Sequence, residues 1–242
     1  MWGLYWQYYI MGLVLLPGII LAAIAQAKVS STYNAFSKII CKKGYTGAQV
    51  ARIILDSINM QDVQIQKIGG QLSDNYNPKT KIVSLSGGVH DSQSVAAIGI
   101  AAHEVGHAIQ HKQSYIPMKI RSFLIPVSNF MSKLLWPLLI IGIIFNFAAF
   151  PNSIAGLVFI WAGIGLFGFS VIIELVTLPV EFNASKRALV ILKQADILDK
   201  TEARGAESVL KAAALTYIAS ILISILYLLR FLLVFVIGRN RD

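Results

Sequence analysis

Two histidines four residues apart stand out in Ala102-His103-Glu104-Val105-Gly106-His107-Ala108, with a glutamate directly after the first. On a helix, residues i and i+4 share a face, so His103 and His107 can hold one ion between them. Zinc accepts neutral imidazole nitrogen and, in catalytic sites, keeps one position open for water. Glu104 is placed to take a proton from that water. The chemistry that suits these three residues is metal-assisted hydrolysis. A site that only bound zinc would have no need of a base at Glu104.

These side chains need a helix to carry them, and the sequence predicts one over residues 92–111. The stretch is rich in Ala, Ile and Val, lacks proline, and is preceded by the capping candidates Asp91 and Ser92. Gly99 and Gly106 weaken the helix but let neighbouring elements approach closely. His111 lies two turns, about 12 Å, beyond His103 on an unbroken helix, too far to share an ion with it. His90 precedes the helix and can face the cleft. The lone cysteine, Cys41, excludes an internal disulfide and a CxxC site. A catalytic zinc still requires a third protein ligand. Two carboxylates remain as candidates: Glu181, in Pro179-Val180-Glu181-Phe182-Asn183-Ala184-Ser185-Lys186-Arg187-Ala188, and Glu174. The latter sits inside an apolar run, where an ionisable group is costly and often functional. Pro179 is expected to interrupt the helix between them.

Of the 242 residues, 56% are hydrophobic and only 14% charged, against about 25% charged in soluble domains. The apolar residues cluster, so the chain reads as a mainly α membrane protein with about four transmembrane helices and a small α+β zincin-like lobe. The net charge of +9 fits lysine and arginine on the cytoplasmic side, and no basic run with interleaved aromatics suggests nucleic acid. Residues 1–27 form the first span, with Trp2, Tyr5, Trp6, Tyr8 and Tyr9 as an interfacial cluster; no basic region marks them as a signal peptide. The lobe covers residues 28–121. Within it the sequence predicts a helix over 47–59 capped by Thr46, strands over 63–68 and 81–86, and a turn at Asn75-Tyr76-Asn77-Pro78. Gly87-Gly88 should break the second strand, and the strand nearest the metal helix offers an edge for an extended peptide. Residues 122–180 hold spans two and three, linked by Pro151-Asn152-Ser153. Residues 181–211 are polar, and residues 212–242 form span four, interrupted by Arg230, and a short tail. An outside N-terminus puts 28–133 and 181–211 on the cytoplasmic side. It also puts Arg239 and Arg241 outside, against the positive-inside rule.

The His-Glu-x-Gly-His-Ala-Ile-Gln-His run, the upstream Leu72-Ser73-Asp74-x-Tyr76-x-Pro78 and the downstream Pro179-Val180-Glu181-Phe182-x-Ala184-Ser185 together resemble the YugP-type neutral zinc metallopeptidases of bacterial membranes. The resemblance covers nearly the whole chain. It implies a zinc protease of the gluzincin type, with His103, His107 and Glu181 as ligands and Glu104 as base. The chain is also distantly similar to the HtpX-like membrane proteases, whose ligand glutamate is followed four residues later by an aspartate. Here Ser185 takes that place, and Asn183 stands where the YugP pattern has an acid; a serine or amide can still hold a ligand histidine, with less charge. Arg187, Tyr115 and His90 are the candidates for stabilising the transition state.

The expected activity is hydrolysis of peptide bonds in membrane or membrane-associated proteins, with a protein or peptide substrate and the lipid bilayer as partners. The expected location is the bacterial plasma membrane, active site toward the cytoplasm. Two other classes compete: a zinc-binding membrane interaction protein without proteolysis, and a transporter using Glu174 and Arg230. The transporter reading leaves the zincin residues unexplained.

Overall fold

A computed structural model of the chain describes residues 12–149 and 153–239. The expected N-terminal aromatic cluster, Pro151, Asn152 and Arg241 lie outside these residues. The described part is mainly helical: α1 Leu16–Phe36, α2 Gly47–Ser57, β1 Gln64–Ile68, β2 Asn75–Asn77, β3 Ile82–Ser86, α3 Gly87–His90, α4 Val95–Lys112, α5 Ile116–Ile143, α6 Ile154–Gln194 and α7 Lys200–Arg239. A π-helical segment, Ile144–Ala149, follows α5. The chain divides into two compact units. One comprises Met1–Ala23, Ile120–Thr177 and Tyr217–Asp242; the other comprises Ile24–Lys119 and Leu178–Thr216.

The first unit is helical. Three helices are long and apolar enough to cross a membrane: Ile116–Asn146, Ile154–Gln194 and Lys200–Val234. Only 6% of the most apolar window of the last is buried, an exposed apolar surface that water would not tolerate and lipid would. The four expected spans thus become three among the described residues; the span expected over residues 1–27 is not among them and falls partly outside the described residues. Small residues let the helices touch. Gly142 faces Ile160, Gly163 faces Leu139, and Gly18 faces Ile223 and Leu226, as in lipid, where packing replaces the hydrophobic drive between helices. Pro126 and Pro137 lie inside α5.

The second unit is built around α4. Fourteen of its 18 residues are buried, from Val95 to Gln110, so this helix is enclosed on nearly every face. Its N-cap is Ser94, whose hydroxyl accepts from the Ala97 N–H at 3.2 Å, not Asp91 or Ser92. Asp91 instead stands at the C-cap of the short α3. Thr46 caps α2 as expected, in a reciprocal pair with Gln49. The buried face of α2 includes Val50, Ile54 and Leu55, and these join Val83, Leu85, Ile98 and Val105 in the core.

The sheet has three strands in the order β1-β3-β2, not two. β1 is parallel to β3, with Gln64 opposite Ile82, and β2 is antiparallel, with Tyr76 opposite Val83. The segment 75–77 is therefore a strand and not a turn. Tyr76 is buried there and its hydroxyl lies 3.0 Å from His111 Nδ1, an anchor that outweighs the turn preference of the asparagines beside it. β3 is paired on both sides, so the edge expected on that strand is closed. Gly87-Gly88 does end β3, but by starting α3. Pro179 lies inside a continuous α6. A proline costs one backbone hydrogen bond, and apolar residues on either side keep the helix going.

Candidate active site

α4 presents His103 and His107 on one face, their rings edge to face at 83° with centroids 4.8 Å apart. α6 brings Glu181 to both. Its Oε2 lies 3.2 Å from His103 Nε2 and 3.5 Å from His107 Nε2. The approach depends on a glycine. A Cβ at Gly106 would stand 2.5 Å from the Ala184 carbonyl oxygen, so no side chain fits where the two helices cross. His107 and Glu181 are buried, and His103 is only slightly exposed.

The three side chains offer ligand atoms that all lie within 4.8 Å of one another, a candidate metal-binding group. Donors placed tetrahedrally around an ion at 2.0–2.1 Å stand roughly 3.3 Å apart, and the two Glu181 distances bracket that value. Two imidazoles and one carboxylate are also ligands that zinc takes. The residues present therefore fit the ion.

Glu104 is buried in the same helix. Burial pushes its carboxyl up from the usual range; His103 and His107 oppose this, while Glu181 and Asp74 add to it.

Each histidine is held from behind. His103 Nδ1 lies 3.0 Å from Ser185 Oγ, and His107 Nδ1 lies 3.0 Å from Gln110 Oε1. Gln110 is fully buried and was not among the expected site residues. Its signal in the sequence is modest: a polar residue three after His107, on the same helical face, amid Ala and Ile. Asn183 joins this group, accepting from Gln110 at 3.0 Å and from Arg187 Nε at 2.6 Å. Arg187 also donates to Gln113 and lies 5.7 Å from the centre of the Tyr115 ring.

The other candidates lie elsewhere. His90 stands 2.6 Å from Asp91 Oδ1, outside the metal-binding group. His111 continues the helix and pairs with Tyr76, as its distance along the helix required. Glu174 accepts from Ser224 at 2.9 Å and Ser220 at 3.3 Å. Cys41 is buried, with its thiol 3.6 Å from the Ile197 carbonyl.

Helices able to span a membrane, and a buried two-histidine, one-glutamate group with a neighbouring acid, define the class: a membrane protein with a candidate zinc-hydrolase centre. The family described as "Putative neutral zinc metallopeptidase" matches residues 11–236, and the chain belongs to it. The chain is 42% identical over 218 residues to the "Putative membrane protease YugP" of Bacillus subtilis (strain 168), covering 90% of this chain and 93% of that protein. No solved structure matches the chain.

Proposed function

We propose that the chain is a membrane-embedded zinc metalloendopeptidase of the gluzincin type, cutting peptide bonds of membrane or membrane-associated proteins. The observation that carries this reading is the convergence of His103, His107 and Glu181 beside a buried Glu104. In this reading the three residues hold the zinc through two imidazole nitrogens and one carboxylate oxygen. Bound zinc would polarise the scissile carbonyl and make a water acidic near neutral pH. Glu104 takes the proton from the attacking water and delivers it to the leaving amine nitrogen. Ser185 and Gln110 orient the two histidines. The outer edge of β2, which Tyr76 ties to the end of α4, is the place where an extended peptide can add a strand. Four spans, with the first in residues 1–27, put the site on the cytoplasmic side.

The test is metal content and cleavage of an unstructured peptide by the purified full chain. Glu104→Gln should keep zinc while hydrolysis falls by about 10²-fold or more. Glu181→Ala should lose both, because two imidazoles alone make a weak site. A zinc-free native chain, or Glu104→Gln as active as native, refutes the reading. Zinc with no cleavage in the native chain would favour a zinc-binding interaction protein.

A further inference from the structure

The hydrogen bonds behind His107 run in one direction only. Arg187 Nε is a donor with no acceptor capacity, and it stands 2.6 Å from Asn183 Oδ1. That fixes the Asn183 amide with its oxygen toward Arg187. The same oxygen accepts from Gln110 Nε2 at 3.0 Å. The second N–H of Gln110 goes to the Val180 carbonyl at 2.8 Å, and a carbonyl can only accept. Both Gln110 hydrogens are thus used, and its Oε1 is left as an acceptor. This oxygen lies 3.0 Å from His107 Nδ1, so Nδ1 must carry the hydrogen. The lone pair is then on Nε2, the atom that faces Glu181. Turning the Gln110 amide over would set its oxygen against two acceptor oxygens and give up both bonds. Gln110 is fully buried, where no water can repair that loss.

We infer that Gln110 is a positioning residue: oriented by Val180, Asn183 and Arg187, it holds His107 as the Nδ1-protonated tautomer, with the Nε2 lone pair turned to the side where Glu181 stands. An amide oxygen here does what a carboxylate does behind many zinc-ligating histidines, without adding charge. The Val180 bond also ties Gln110 to the residue next to Glu181, so one side chain serves ligands on two helices. His103 differs, because the Ser185 hydroxyl can donate as well as accept and sets no direction. The inference rests on the zinc reading of the site.

The experiment uses the full chain in detergent. It measures zinc affinity by competition with a coloured chelator, the visible absorption of the cobalt(II) form, and thermal unfolding of the zinc-free protein. Gln110→Leu removes the acceptor, and zinc affinity should fall by about 10–100-fold with a changed cobalt spectrum. Asn183→Asp keeps an acceptor for both Gln110 and Arg187 and should stay within roughly threefold of native, whereas Asn183→Leu should not. A role in folding alone would lower the unfolding temperature but leave the cobalt spectrum of the folded fraction as in native. Native affinity and spectrum in Gln110→Leu overturn the inference. So does an Asn183→Asp variant as impaired as Asn183→Leu, a comparison that stands even where Gln110→Leu does not fold. A native chain that binds zinc and cleaves peptide, beside an unaffected Gln110→Leu, overturns this inference alone. A native chain without zinc overturns the proposed function as well.

Discussion

Gly106→Ala tests how the candidate metal-binding group is assembled. The added methyl would stand 2.5 Å from the Ala184 oxygen and 3.1 Å from its carbonyl carbon. Both belong to the backbone of α6, which cannot swing aside like a side chain. Relief to an ordinary 3.4 Å contact requires the helices to part by 3.4 − 2.5, about 0.9 Å. Glu181 sits one turn before Ala184, so its carboxylate retreats with the helix. The 3.2 Å and 3.5 Å separations from the histidines would then widen toward about 4 Å, whereas metal sites tolerate roughly ±0.2 Å in ligand distance. Zinc affinity should fall at least about tenfold, the lower bound for disturbing a ligand's support. Overpacking costs about 1–3 kcal/mol, and the better helix propensity of alanine returns about 1 kcal/mol. The zinc-free protein should therefore lose little stability. The assay is chelator competition for zinc beside thermal unfolding of the zinc-free form. Gly99→Ala on the same helix is the control. Its methyl meets a side-chain carbon, Ala206 Cβ, at 3.2 Å, needs only a few tenths of an ångström, and should leave zinc binding unchanged. Native zinc affinity in Gly106→Ala would refute the view that this crossing sets the reach of Glu181.

His111→Ala should leave zinc content as in native and cost about 1 kcal/mol through the lost Tyr76 partner; metal analysis and unfolding of the variant check both. Asp199 caps α7 through the N–H groups of Thr201 and Glu202. Its pairing with Lys42, then its bond from the Glu202 backbone, pull its carboxyl down to about 2 from the usual 3.8. Because the folded value is the lower one, its stabilisation is complete above about pH 4 and is lost as pH falls to about 2. Asp199→Asn should flatten the acid loss of stability in that window, read as melting temperature against pH. Cysteines placed at Ser153 and at the exposed Thr80 of the lobe should react with membrane-impermeant reagents from opposite sides of the bilayer, and labelling of both from outside would overturn the cytoplasmic assignment.

The local features were legible because they depend on neighbours in the chain. The i, i+4 spacing of His103 and His107 needs only a helix, and the Ala-rich, proline-free stretch around them makes one. The Thr46–Gln49 cap is likewise a three-residue affair, and the long apolar runs declare membrane helices by composition alone. Helix rise by itself excludes His111 from sharing an ion with His103. Four features depended on contacts between distant parts of the chain. Asn75–Asn77 has turn residues by type, yet Tyr76 finds a buried place beside Val83 and His111, and a strand results. Pro179 reads as a break, yet the packing of α6 on either side outweighs one missing hydrogen bond. Glu181 lies 78 residues from His103, and in the sequence only the resemblance of its surroundings to the family, not spacing or helix geometry, ranks it above Glu174. Tertiary structure separates the two: the bare backbone at Gly106 admits α6 to within reach at Ala184, while Glu174 is taken by Ser220 and Ser224. Gln110 is one more polar residue on a helix until Val180 and Asn183 claim its two hydrogens, and hydrogen-bond direction between two helices is not written in either of them.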